Sequence, residues 1–235
     1  MKAESVAYTH NGVLATLPQG MVSQLELPLI PLVQRDVLYR AGEQIEYLYF
    51  VERGIISLIT IMSDGGTSEG GMIGTEGVLG FPALLGSSIA SQHGIVQLPG
   101  FARRMPIAIG NRLFAELPLF RAAALRFVSY LTDTGLQTAA CNRLHPAAQR
   151  AARWLLMMDD RVPHTLQLTQ EFLAAMLGVR RTGFTVIAQA LRRLGLIEYS
   201  HGSIRITDRE GLQAVACECY ARDWQRFHQS FGDQP

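Results

Sequence analysis

The stretch "LTQEFLAAMLGVRRTGFTVIAQALRRLG", Leu168 to Gly195, constrains the fold more than any other part of the chain. Thr169 is placed to cap a helix whose buried side is Phe172, Leu173, Met176 and Leu177, and Gly178 ends that helix. A second helix is predicted from about Arg180. Its residues Phe184, Ile187, Ala188, Leu191 and Leu194 recur at helical spacing as one stripe. Burying each large side chain in that stripe is worth about 1.5 to 3 kcal/mol. The opposite face then carries Arg181, Thr182, Thr185, Gln189 and Arg192. Two helices joined by a short turn containing glycine make a helix-turn-helix.

In that motif the second helix enters the major groove of DNA, and its N-terminal residues touch base edges. Arg180, Arg181, Thr182 and Thr185 stand at that end, with Gln189 and Arg192 further along and Thr169 at the start of the preceding helix. The arginine fork matches the O6/N7 pair of guanine, and threonine can bond a base or touch a thymine methyl. Gly183 weakens the helix by about 1 kcal/mol relative to alanine. It either removes bulk where the helix meets the duplex or admits a packing contact with the preceding helix.

Next comes "GLIEYSHGSIRITD", in which Ile197 to Tyr199 and Ser203 to Ile206 can pair around His201 and Gly202 as the wing of a winged helix. Ser203, Arg205 and His201 are placed to bond phosphate oxygens, which orient a protein on DNA without reading sequence. From Pro163 to Arg209 six arginines face Glu171, Glu198 and Asp208, a balance of +3 in a chain whose total is +1. The alternative is a solvated cationic helix in a three-helix scaffold. The turn, stripe, arginines and wing in this order favour DNA.

Upstream, Leu29 to about Pro106 reads as short apolar bursts separated by glycine, which suggests an all-β sandwich or barrel. Asp64-Gly65-Gly66 is the best hairpin turn. Ile107 to Leu117 then reads as a short helix, and Pro118 opens a second one. Along it Phe120, Ala124, Phe127, Leu131, Thr134 and Thr138 alternate three and four apart, the spacing of a seam between two copies of the chain. The other reading is a helix packed on its own β domain. Pro146 starts a further helix, with Ala148, Ala152, Leu155 and Leu156 on one face, and a domain boundary is expected near Asn142 to His145.

At 235 residues and 48% hydrophobic, the chain can bury one large core or two ordinary ones. A net charge of +1 excludes a polycation that coats acidic polymers at large. Cys141, Cys217 and Cys219 are too few for a disulfide scaffold and read as free thiols of a reducing, cytoplasmic compartment. Nothing reaches the apolar run of about 18 residues that spans a bilayer. On one continuous helix Cys217 and Cys219 would point about 200° apart, so they are expected as buried small residues and no metal site is expected.

Taken together, "RAGEQIEYLYFVERGIISL", the long helix and "LTQEFLAAMLGVRRTGFTVIAQALRRLGLIEYSHGSIRITD" resemble the Crp/Fnr superfamily of bacterial transcription regulators over about Leu25 to Asp208. The resemblance implies an α+β chain. A β-roll sensor-like domain of the cyclic-nucleotide-binding jelly-roll type would occupy residues 1–115. A dimerisation helix would follow over 116–143, and a winged helix-turn-helix with a C-terminal helix over 144–235. It further implies a homodimer on a palindromic DNA site, an effector sensed in the β-roll, and RNA polymerase as a further partner. The family's first base-reading arginine falls on Arg181, but its usual glutamate is Thr182 here and a later arginine is Val186. In cyclic-nucleotide-binding relatives a Gly-Glu and a later Arg-Ser or Arg-Thr pair hold the phosphate. The corresponding candidates are Glu76, Gln92 and His93, which supply no arginine and argue against a cyclic nucleotide.

The N-terminal cysteines of iron–sulfur relatives are missing, since none precedes Cys141. No cofactor is called for. Haem, through His10, His93 or a methionine, and other small effectors stay open. Clustered histidines for a metal-dependent jelly-roll enzyme and a Gly-Lys-Ser/Thr phosphate cradle are absent, so no enzyme is expected. A rival class is a ligand-binding module that acts on a protein partner without DNA. Beyond Asp208, Leu212, Val215, Ala216, Cys219, Tyr220, Phe227 and Phe231 continue at roughly helical spacing, as a helix on the winged domain or a surface for a partner.

Overall fold

The computed structural model describes residues 9–162, 165–200 and 202–232. It divides into two compact units, one formed by the chain up to Ser57 with Met72–Leu131, the other by Leu58–Gly71 with the chain from Thr132 onward. The division runs through the long helix rather than after it.

The first unit includes a short helix α1 (Met21–Gln24) and is built on strands β1 (Leu29–Leu32), β2 (Val37–Tyr39), β3 (Tyr47–Ile61), β4 (Thr67–Ile73), β5 (Val78–Leu79) and β6 (His93–Pro106), except that the hairpin end of β3 and β4, residues 58–71, belongs to the second unit. They form one sheet in the order β1-β6-β3-β4, with β2 also on β6 and β5 also on β3. β3 and β6, of 15 and 14 residues, are far longer than the short strands expected. Two of the glycines read as strand ends lie inside them. Gly54 has φ +101°, and a Cβ there would lie 2.7 Å from the Leu98 carbonyl oxygen; one at Gly100 would lie 2.0 Å from that of Arg53. They let two backbones cross closely within continuous strands. The Asp64-Gly65-Gly66 turn does join β3 to β4, with the Met62 amide donating to the Gly66 carbonyl at 2.8 Å and Gly65 at φ +83°.

Two polar clamps fasten residues 9–14 to β3. Glu52, buried, accepts from Arg103 Nε at 2.8 Å, Thr9 Oγ1 at 2.7 Å and the His10 amide at 2.7 Å. Asn11 donates to the carbonyls of Val51 and Gly77 and accepts from the amides of Val13 and Leu14. Both groups are therefore satisfied where water is excluded.

Helices α2 (Ile107–Glu116) and α3 (Pro118–Leu144) follow, with proline at the first position of α3 as expected. The expected seam on α3 is not a free surface. Phe120 meets Phe50 with ring centroids 6.2 Å apart, Phe127 meets Phe81 edge-on at 5.9 Å, and both are fully buried. Ala124, Leu131 and Thr134 are buried as well, and the Thr138 hydroxyl accepts from Arg153 at 3.0 Å. The helix uses that stripe inside its own chain, because phenylalanines at three-four spacing fill a β core as well as a helix partner. The apolar side chains α3 leaves exposed are Leu119, Leu125, Leu136 and Leu144. With Ala122, Ser129, Thr132 and Ala139, also exposed, Leu125 and Leu136 form a second stripe at alternating three and four spacing.

The second unit contains α4 (Ala147–Asp159), β7 (Thr165–Gln167), α5 (Gln170–Met176), α6 (Arg181–Arg193), β8 (Ile197–Ser200), β9 (Ser203–Ile206), α7 (Arg209–Val215) and α8 (Cys219–Phe231). α4 is the hub. Every residue from Ala151 to Met158 is buried, whereas Ala148, expected on its apolar face, is exposed. Its polar members are paired. Arg153 donates to Asp223 Oδ2 at 2.6 Å, and Trp154 Nε1 to Glu69 on the β3–β4 hairpin. Arg209 joins Asp159, Asp160 and Tyr220, fastening the start of α7 to the end of α4. Burial pushes the Asp160 and Asp223 carboxyls above the usual carboxylate range, against the pull of Arg209 and Arg153 respectively.

The C-terminal extension is two helices rather than one. α7 and α8 both pack on α4. Val215 ends α7, Ala216 is extended at ψ 156°, and α8 begins only at Cys219. Cys217 thus lies outside either helix, and the expectation of sulfurs pointing apart on one helix fails. All three cysteines are buried and form one cluster.

Candidate nucleic-acid interface

α5, the turn and α6 take the expected course. Thr169 Oγ1 accepts from the Phe172 amide at 3.3 Å, capping α5, whose buried residues Leu173, Met176 and Leu177 are those anticipated; Phe172 is half-buried. Gly178 turns the chain at φ +62°, a conformation that disfavours a side chain, and the Val179 amide returns to the Ala174 carbonyl at 2.9 Å. Arg150 of α4 donates to the Leu177 carbonyl at 2.8 Å and to Asn142 at 3.0 Å, pinning the turn from outside. Arg180 is the N-cap of α6.

On α6, Phe184, Ala188 and Leu191 are buried and Ile187 is half-buried. Leu194, expected to complete the stripe, caps the helix end instead and is exposed. Arg180, Arg181, Thr182, Gln189 and Arg192 are exposed, and Thr185 is half-buried with its hydroxyl donating to the Arg181 carbonyl at 3.1 Å. That bond spends the donor and leaves Thr185 as an acceptor or a methyl contact. Val186, which stands where the resemblance places a later arginine, and Arg193, not counted from the sequence, also face outward. Their exposure follows from the same periodicity extended past the buried stripe. A Cβ at Gly183 would meet nothing within 4 Å, so a packing contact with the preceding helix is ruled out.

The wing is a three-stranded sheet in the order β7-β9-β8. Ile197 pairs with Ile206 and Ser200 with Ser203, as the hairpin reading required. β7, whose Leu166 pairs with Ile204, escaped the sequence because a three-residue strand carries almost no periodicity. Gly202 makes the tight turn at φ +77°, and His201 lies outside the described residues. Leu168 donates to the Gly202 carbonyl at 2.6 Å, and a Cβ at Gly202 would touch Thr169 at 3.9 Å, so the start of α5 adjoins the wing turn. Ser203 is half-buried. Arg205 is exposed but bonded across the hairpin to Glu198 at 2.7 Å. An ion pair this exposed is worth about 0 to 1 kcal/mol, so Arg205 can be traded to a phosphate at small cost.

In the β unit, Glu76 is buried between β4 and β5, and Gln92 and His93 are half-buried at the start of β6.

A winged helix-turn-helix with cations on its outer face has the arrangement by which such motifs enter the major groove. The family model of the Crp-like helix-turn-helix domain matches residues 149–215. Solved structures of similar fold include a CRP-family transcriptional regulator from Thermus thermophilus, 18% identical, covering 80% of this chain and 96% of its own, with TM-score 0.67. FixK2 from Bradyrhizobium japonicum is 18% identical over 81% of this chain and 98% of its own, with TM-score 0.64. The c-di-GMP-responsive global regulator CLP of Xanthomonas campestris is 17% identical over 79% and 97%, with TM-score 0.65. No curated protein sequence matches. Residues 149–215 thus carry a Crp-like helix-turn-helix domain, and the chain as a whole shares the fold of these solved regulators. Among the described residues, no helix is long and apolar enough to cross a membrane.

Proposed function

We propose that the protein is a sequence-specific transcription regulator that acts as a homodimer on an inverted repeat. The observation that carries this is the two-sidedness of α6. Phe184, Ala188 and Leu191 anchor it, while Arg181, Thr182, Gln189 and Arg192 project outward. Arg181 and Thr182 read bases, and Arg180, Arg205, Ser203 and Thr169 hold phosphates. Two such helices then occupy successive major grooves, with half-sites about 34 Å apart.

The dimer forms through the exposed stripe of α3, Leu125 and Leu136 with the small residues between them, since the phenylalanine stripe is already covered. The β unit senses a small effector in the region of Glu76, Gln92 and His93. With no arginine at that pair, a cyclic-nucleotide phosphate lacks its main attraction.

Selection of bound fragments from a genomic DNA pool tests the proposal. An inverted repeat should emerge, and its affinity should fall steeply with salt. Recovery of no sequence, with no salt-dependent retention on any duplex, would establish the rival ligand-binding module that acts on a protein partner.

A further inference from the structure

The C-terminal unit brings together four residues that DNA recognition does not use. Cys141 lies in the last turn of α3, and His145 follows one helical turn later, its amide bonded to the Cys141 carbonyl at 3.0 Å. Cys217 comes from the break between α7 and α8, and Cys219 is the first residue of α8. Cys141 Sγ and Cys217 Sγ are 3.5 Å apart, as are Cys219 Sγ and His145 Nδ1, and all four ligand atoms lie within 4.8 Å of one another.

A regular tetrahedron with zinc–sulfur bonds of about 2.3 Å has edges of about 3.8 Å. The observed separations bracket that figure. We propose that Cys141, His145, Cys217 and Cys219 form a structural zinc site that fastens α8 to the end of α3.

Three soft thiolates and an imidazole suit zinc better than hard cations. Four ligand atoms within 4.8 Å of one another can surround one ion but stand too close together for the several irons of a cluster. With all four positions filled by protein, nothing is left open for a substrate, as structural sites require.

The surroundings fit the charge. Zinc with three thiolates and a neutral histidine carries −1, and the buried Arg153 guanidinium lies close enough to Cys141 to offset it electrostatically. Gln137 Nε2 donates to Cys219 Sγ at 3.0 Å, the outer-shell bond that orients a metal thiolate. A surface groove lined by Arg209, Gln213, Glu218 and Trp224 reaches Cys217 and offers access. Binding the ion releases the thiol protons to solvent.

Untagged full-length protein, purified without added metal, should contain about one zinc per chain by elemental mass spectrometry. Cobalt replacing it should give tetrahedral d–d bands with thiolate-to-cobalt charge transfer. The Cys217→Ser/Cys219→Ser double variant should lose both the zinc and the charge-transfer band, while His228→Ala keeps both. Gln137→Ala should weaken cobalt affinity about 10- to 100-fold. Wild-type protein that neither carries zinc nor develops the band in a cobalt titration overturns the proposal, whatever the variants do. So does a band that survives in the double variant, or a Cys141–Cys217 disulfide recovered as the resident state.

Discussion

Gly183→Ala separates stability from recognition. The residue is the third of α6, and a methyl group there meets no atom within 4 Å. Alanine therefore adds no clash, favours the helix and narrows the unfolded ensemble, for a gain of about 0.5 to 1 kcal/mol. In a chain of this length each kcal/mol raises the melting temperature by about 2 to 4 °C, so a rise of about 1 to 4 °C is expected by circular dichroism. On the selected duplex the sign reverses. In the proposed complex the same methyl stands beside Arg181 and Thr182 at the helix tip that enters the groove, and affinity by fluorescence anisotropy should fall about tenfold, or about 1.4 kcal/mol. Gly183→Leu should bind more weakly still. An alanine variant that binds as tightly as the parent refutes the idea that this glycine makes room for DNA, and a drop in melting temperature refutes the open surroundings.

Arg181→Ala should cost about 1 to 3 kcal/mol on the specific site and relax preference at one base pair, whereas an equal loss on random duplex would mean it only holds phosphate. Leu125→Glu combined with Leu136→Glu should turn the dimer into a folded monomer in sedimentation velocity; a dimer that persists places the seam elsewhere. Phe127→Ala should lose about 3 to 5 kcal/mol in urea unfolding with no gain of monomer beyond what unfolding explains. Gly77→Ala, whose Cβ would lie 2.2 Å from the Phe127 ring, should lose about 1 to 3 kcal/mol, and the double variant should lose less than the sum. Strict additivity would show that the two do not meet.

The recognition module was readable because its signals are local. A cap at Thr169, a left-handed glycine at Gly178 and the Phe184–Ala188–Leu191 stripe each act within one or two helical turns. The wing was legible for the same reason, its Gly202 turn joining two strands of alternating burial. Leu194 was misplaced because periodicity does not announce where a helix stops.

Long-range packing set everything the local pattern left open. Three-four spacing on α3 states that one face is apolar, but not whether a partner chain or the chain's own β core covers it; Phe50, Phe81 and Gly77, distant in sequence, take that face for the core. Gly54 and Gly100 looked like strand ends because a glycine needed for a close backbone crossing is indistinguishable, in one dimension, from a glycine needed for a turn. The four residues around Cys141 escaped for a related reason. "AVACECYA" contains neither glycine nor proline to mark the break before α8, and only folding onto α4 swings Cys217 and Cys219 back to Cys141 and His145. Local backbone preference thus decided the helix with the exposed arginines, while the protein's internal surfaces and its sulfur cluster depended on which distant segments came to share a core.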